Sequence, residues 1–297
     1  MKVFSVAPVL LTLCFSFTLN LPNTALAQQK KTPDPNRPLR LARTTIRHEV
    51  RRFAYGGTLT LVGAPAGSIT IEGWPRNEVD ISAEIQLRAD TEADLDLLAA
   101  INGFVLDEDS NHIRVLSVGT HDKAYMRTEK KFPKTLLGLP WKIDYRIRVP
   151  ILTDLEINAG RGPISLAGVE GNIRLSAAES ETNLKLSGGD LAATIGVGKL
   201  TLSIPSRSWR RGGADIRIAL GEVTVELPPG FSGDLDADIL RIGQIDDSYG
   251  GMEARERPGL TPQKLKARAG AGGALLKVTV GDGQINIRKQ QTADSKQ

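Results

Sequence analysis

From residue 155 onward the chain repeats one small pattern: LEIN, PISLAGVEG, NIRLS, TNLKLSGGD, LAATIGVG, KLTLSIPS, ADIRIALG, EVTVELPPG. Each piece is an apolar-x-apolar step with the period of a strand, and the steps recur roughly every nine to eleven residues, separated by Gly, Asn or Ser. A strand this short has one apolar face and no core of its own, so such units become stable by stacking on their neighbours. A β-sandwich spaces its strands similarly, by about eight to twelve residues. Two features favour a solenoid. The steps are very short, and the turns carry single glycines, Gly162, Gly168, Gly171, Gly196, Gly198 and Gly221, where hairpins would show two-residue turn signals. If each glycine turns a corner, one coil takes roughly twenty residues, within the range of known repeats. The expected fold class is all-β, a solenoid of short strands.

Upstream the same period holds at Leu59 and Leu61, Ile69 and Ile71, Val79 and Ile81, Ile113 and Val115, and from Ile143 through Val149. Within GSITIEGWPRNEVDISAEI, the triplet Gly73-Trp74-Pro75 stops one strand just before another begins. It is expected to be a corner that places the two strands on successive edges of one coil, because Gly permits the bend and Pro ends ladder pairing. One helix interrupts the strands, at about 91–101. It has a capping residue and acids at its start, Leu95, Leu98 and Ile101 on one face, and Gly103 as a stop.

The N-terminus has the layout of a secretory signal: Lys2, a long uncharged apolar run, a helix-breaking Asn-Leu-Pro, and Ala25-Leu26-Ala27 before Gln28. Cleavage there removes Cys14, the single cysteine, leaving neither thiol nucleophile nor disulfide. Leu13 before Cys14 does not fit a lipoprotein site. The expected organisation is a signal peptide at 1–27, a proline-bearing flexible leader at 28–45, one solenoid domain at 46–290 and a disordered tail at 291–297. The chain is expected to be exported, to the periplasm or to the cell surface and medium. With 38 basic and 34 acidic residues interspersed, the net charge of +4 creates no long-range field for nucleic acid.

Two loops are candidate binding elements. In SRSWRRGG, residues 206–213, Arg207, Trp209, Arg210 and Arg211 offer bidentate donors and a stacking face to an anionic glycan, a lipid head group or a protein. A wide corner loop with solvated charges gives the same pattern. The insert RTEKKFPKTLLGLPWKIDYR, residues 127–146, joins Lys130, Lys131, Lys134 and Lys142 to Phe132, Leu136, Leu137, Leu139 and Trp141. It is read equally well as a contact for a membrane or partner protein and as a cap on the open end of the solenoid.

Catalytic and metal signals are weak. Asp234, Asp236 and Asp238 share one face of a strand, an arrangement that could ligate Ca²⁺ or cleave a polysaccharide but that also describes a solvated outer face. GDGQIN at 281–286 is one copy of a turn that binds calcium only when stacked, so a tight or bulged turn is expected there. His48, His112 and His121 lack any local ligand spacing, and no G-x-S-x-G occurs. GAGGA at 270–274 leads into a strand pattern, where a phosphate loop needs a helix.

Three stretches carry a family resemblance: GSITIEGWPRNEVDI at 67–81, YRIRVP at 145–150 with the LEINAGRGPISLAGVEGNIRL that begins at 155, and GGALLKVTVGDGQINI at 272–287. In these the chain resembles the bacterial toast-rack family of adhesin-like proteins over roughly residues 55–288. The resemblance implies a single-stranded right-handed β-solenoid in an exported or envelope-displayed protein, with no catalytic residues and no cofactor to carry over. The helix near 95 and the basic insert from Gly119 to Trp141 depart from the family's simplest repeats. The expected function is non-enzymatic: loops on a rigid β surface bind an envelope protein, a glycan or a membrane surface. The alternatives are a polysaccharide-active enzyme, which rests on fold analogy, and a structural or signalling accessory of a membrane protein.

Overall fold

The computed structural model describes residues 41–256 and 260–290. The expected signal segment and C-terminal tail, and most of the expected leader, lie outside the described residues. The strand β1 (Leu41–Arg52) begins inside the expected leader, so ordered structure reaches back at least to Leu41.

One phase slip per repeat builds the solenoid. The strand β10 (Asn172–Lys185) buries Ile173, Leu175 and Ala177, skips Ala178 and Glu179, and then buries Ser180, Thr182 and Leu184. The skipped residues turn the second half of the strand, so that both halves face one interior. The strands β11 (Asp190–Ser203), β12 (Ala214–Leu227) and β18 (Leu275–Lys289) repeat this path. Elsewhere the path is broken into two strands: β2 (Thr58–Val62) with β3 (Ile69–Trp74), β6 (His112–Val118) with β7 (Trp141–Pro150), β8 (Asp154–Arg161) with β9 (Ile164–Ala167), and β13 (Gly233–Ile239) with β14 (Gly243–Asp247).

Tiers stack in parallel register, 18 residues apart between β8 and β10 and 23 apart between β11 and β12. Inward residues therefore align in columns. One of them runs Ile113, Leu59, Leu155, Ile173, Leu191, Ala214, Leu276, Leu235, and all of these are buried. At the bend a second column is glycine: Gly198, Gly221, Gly283 and Gly243 have φ between +140 and +147, and a Cβ on Gly221 would lie 1.8 Å from the carbonyl oxygen of Gly198. The tiers approach so closely there that a side chain has no room.

The all-β solenoid expected from the spacing is thus the architecture of the chain. The order of its tiers differs from chain order in two places. The β2/β3 tier lies between β6/β7 and β8/β9, and β18 lies between β12 and the β13/β14 tier.

Antiparallel strands close both ends. On β7 lies β4 (Glu78–Ala89), followed by β1, while β5 (Gly103–Asp109) lies on β6. At the far end β17 (Lys264–Ala269) pairs with β13 and carries β15 (Met252–Ala254) and β16 (Leu260–Thr261). The helix α1 (Glu92–Ile101) packs on β4; Thr91 caps it, accepting from Asp94 N at 3.1 Å, and Leu95, Leu98 and Ile101 are buried, as the sequence leads one to expect.

Gly73-Trp74-Pro75 is not a coil corner. β3 runs parallel to β7, and β4 runs antiparallel to β7 on its other side, so the chain reverses across a strand position that β7 fills later. The Trp74 indole N–H braces the reversal by donating to Glu78 O at 2.9 Å, with the guanidinium groups of Arg76 and Arg148 over its ring.

Candidate functional site

The turns that join successive tiers also stack, and their hydrogen bonds run from one to the next: Gly56 N to Leu152 O, Glu170 N to Ile151 O, Gly189 N to Arg210 O. Along this edge lie two adjoining depressions. One, of about 330 Å³, is lined by Tyr55, Asp154, Glu170 and Arg211 among others; the second, of about 630 Å³, by Arg174, Ala192, Asp215 and Lys277; Asn172 and Asp190 line both. Ala192 stands in register between Arg174 and Asp215, and its small side chain leaves the dip between them.

Most charges in this groove are already engaged. Asp154 accepts from Asn172 N at 2.7 Å and Asn172 Nδ2 at 3.1 Å, Glu170 pairs with Arg210, Asp215 with Arg217 at 2.6 Å, and Arg174 with Glu156 at 3.2 Å. Asp190, Arg211 and Lys277 have no ion-pair partner among the described residues, and Tyr55 is 51% exposed. Arg211 also has φ +62, the single left-handed non-glycine residue among those described. Such a conformation costs about 1–2 kcal/mol and is found where surrounding structure enforces it, functional sites included. An exposed phenol ring in one depression with an unpaired carboxylate and guanidinium, and an ammonium lining the adjoining depression, can stack on and hydrogen-bond to a long ligand laid along the edge.

The structure divides the 206–213 candidates. Arg207 is exposed, Arg210 is held by Glu170, and Arg211 lines the groove. Trp209 corrects the expectation: it is 5% exposed, its indole N–H donates to Gly189 O at 2.8 Å, and it fills the wider turn between β11 and β12 instead of offering a stacking face. In the insert, Leu136 is buried and Phe132, Leu139 and Trp141 pack against the core, while Lys130 and Lys131 stay exposed. Apolar and basic residues that alternate in sequence are thereby sorted inward and outward, except Leu137, which is 39% exposed.

The acidic strand is neutralised. Asp234 takes two bonds from Arg268, at 2.8 and 3.1 Å, with Arg255 at 3.5 Å; Asp236 pairs with Arg255; and Asp238 lies 3.7 Å from Lys264. The Arg268 hydrogen bonds hold the Asp234 carboxyl below the usual carboxylate range. With each carboxylate facing a cation on β17 or in the segment beside it, this face is a charge ladder, as cross-strand pairing favours. GDGQIN is the bend of β18, where Asp282 binds Arg241 at 2.5 Å.

Two polar clusters have no local signal in the sequence. His48 Nε2 meets Asp80 at 2.8 Å, with Arg148 on the other carboxylate oxygen; burial raises the Asp80 pKa, but the bonds from His48 and Arg148 outweigh it and leave it lowered. His112 lies between Arg114 and Thr60, at 3.0 and 2.7 Å, and Thr60 donates to Glu156 at 3.1 Å. Arginine can only donate, so His112 Nδ1 accepts and Nε2 carries the proton toward Thr60. This imidazole cannot take a proton from the threonine, and the trio is a structural chain of hydrogen bonds. Only strand register reveals either cluster.

No protein-family model matches the chain, and no curated protein matches it in sequence. Solved structures similar to it include a "putative cell adhesion protein" from Clostridium sporogenes ATCC 15579, 12% identical over 83% of this chain and 100% of that one, with a TM-score of 0.44. A "putative adhesin" from Bacteroides fragilis NCTC 9343 is 13% identical over 82% and 97%, with a TM-score of 0.27. A "putative lipid binding protein" from Parabacteroides distasonis ATCC 8503 is 11% identical over 83% and 97%, with a TM-score of 0.20.

Proposed function

We propose that this chain is an exported, adhesin-like recognition protein of the toast-rack type, which binds an envelope or surface glycan along the turn edge of its solenoid. The observation that carries the reading is the groove itself, where Arg211 and Asp190 stand unpaired in one depression with exposed Tyr55, and Lys277, also unpaired, lines the adjoining one on a rigid stack. A surface pre-arranged in this way loses little conformational entropy on binding. Export rests on the signal-like N-terminus. Recognition is favoured over hydrolysis because Asp234, Asp236 and Asp238 are held by Arg268, Arg255 and Lys264, whereas a glycosidase needs one free carboxylate and one protonated acid.

The test is calorimetric titration of cell-envelope polysaccharide fractions into the protein, with released sugar measured alongside. Saturable binding without release is expected. Arg211→Glu and Asp190→Asn should each weaken it by about tenfold, the worth of one charge-assisted hydrogen bond, while Asp236→Asn leaves it unchanged. Sugar release that Asp236→Asn abolishes would hand the function to the acidic strand.

A further inference from the structure

A second surface lies at the opposite pole of the chemistry, in the insert between β6 and β7. Residues 122–139 fold as consecutive tight turns, beginning with the short helix α2 (Lys123–Met126) and ending with a 3-10 turn at Lys134–Leu136. Of their apolar side chains Leu136 is buried and Phe132 and Leu139 pack on the core, as described above. Outside lie Lys123, Arg127, Lys130, Lys131 and Lys134, all exposed, with half-exposed Glu129 the one carboxylate interleaved among them. Among the described residues none of these five lies within ion-pair distance of a carboxylate, whereas Lys142 at the root of the insert is paired with Asp144 at 2.6 Å. The nearby Asp122 is engaged in capping α2, accepting from Ala124 N at 2.8 Å and Tyr125 N at 3.1 Å. Beside the cations Leu137 is 39% exposed, followed by Gly138, whose surroundings are open.

Unpaired like charges crowded on one short segment repel one another, and an external anionic surface relieves that repulsion. We infer that this face of the insert docks on an anionic lipid bilayer, with Leu137 entering the head-group layer and the lysines lying over it. Two observations favour a bilayer over a soluble polyanion. Phe132 and Trp141 pack against the core, and Tyr125 is half-exposed, a ring of the kind that seats its apolar body in a head-group layer with its hydroxyl toward water. Four of the five cations are lysines, point charges suited to a diffuse surface, and not the bidentate forks that read discrete anionic groups.

The inference is independent of the groove, and sedimentation with lipid vesicles tests it on the purified protein. Vesicles of phosphatidylcholine containing phosphatidylglycerol should bind, pure phosphatidylcholine should not, and raised salt should release the protein. Each cation near an anionic surface is worth roughly fivefold in affinity, so Lys130→Gln, Lys131→Gln and Lys134→Gln together should weaken binding by about a hundredfold. The residues are exposed, and unchanged thermal unfolding of the triple variant confirms that it folds. Arg211→Glu should leave vesicle binding intact, which separates this surface from the groove. Equal binding to both vesicle types, or affinity unchanged in the triple variant, overturns the inference. Binding to heparin that depends on these lysines, without binding to vesicles, overturns it in favour of a soluble polyanion.

Discussion

Replacing Gly221 with alanine tests the packing at the bend. In the native backbone its φ is +147, and the new Cβ would have to retreat from 1.8 Å to at least 3.0 Å from the Gly198 carbonyl oxygen. That oxygen belongs to the next tier's backbone, so no side chain can swing aside. Holding an L-residue in this region costs about 1–3 kcal/mol, and opening the tiers by more than an ångström weakens two or three ladder hydrogen bonds at about 1 kcal/mol each. The expected loss is therefore roughly 3–6 kcal/mol, a large share of a typical domain's stability of about 5–15 kcal/mol. Gly230→Ala is the control: φ is +73 there, but nothing lies within 4 Å of the added Cβ, so only the left-handed penalty of about 1–2 kcal/mol applies. Both variants are to be compared with the parent by equilibrium urea unfolding. If Gly221→Ala unfolds within about 1 kcal/mol of Gly230→Ala, close approach between tiers is not what demands glycine in this column.

Trp209→Ala should destabilise the protein by about 3–5 kcal/mol, as for a buried aromatic, and a thermal shift near zero would return Trp209 to the surface. Arg211→Gly removes the left-handed penalty and should raise stability by about 1 kcal/mol while weakening glycan binding; lower stability in the same unfolding assay would show that Arg211 is not strained. For Asp80, whose folded pKa is lowered, the stabilising contribution is present above the ordinary carboxylate range and is lost as pH falls through the folded value. Asp80→Asn should therefore flatten the decline of Tm on acidification from neutral pH, and a parallel decline in the two proteins would refute the role of the His48–Asp80–Arg148 cluster.

The repeat was legible because each tier must present alternating apolar residues to the same interior, so the pattern at Ile173, Leu175 and Ala177 recurs at Leu191, Ala193 and Ile195. The order of the tiers was not legible. Every tier offers equivalent apolar columns, and Leu276 fits against Ala214 as well as Leu235 would. The helix announced itself through Thr91 and its acids, local signals that need no partner. Trp209 misled because a basic loop around an aromatic looks the same whichever way the ring points, and the glycine that accepts its hydrogen bond lies 20 residues earlier. Of the groove, only Arg211 had a signal in the sequence. Tyr55, Asp190 and Lys277 are gathered by the stacking of turns, which no single segment encodes.

The place of β18 has a consequence for how the chain reaches its final form. As the chain emerges N-terminus first during synthesis, β10, β11 and β12 can dock in succession, each within about a score of residues of the last. The next to appear, β13 and β14, find no seat, because their parallel neighbour is the final strand, whose contacts with β12 span 62 residues. Closing that longer loop in place of an 18-residue one adds only about 1 kcal/mol, so the arrangement is tolerable at equilibrium, but it defers completion. Until residues 275–289 arrive, one open sheet edge stays available to any passing strand. β18 works as a keystone, and the solenoid closes only once residues 275–289 are in place between β12 and the β13/β14 tier.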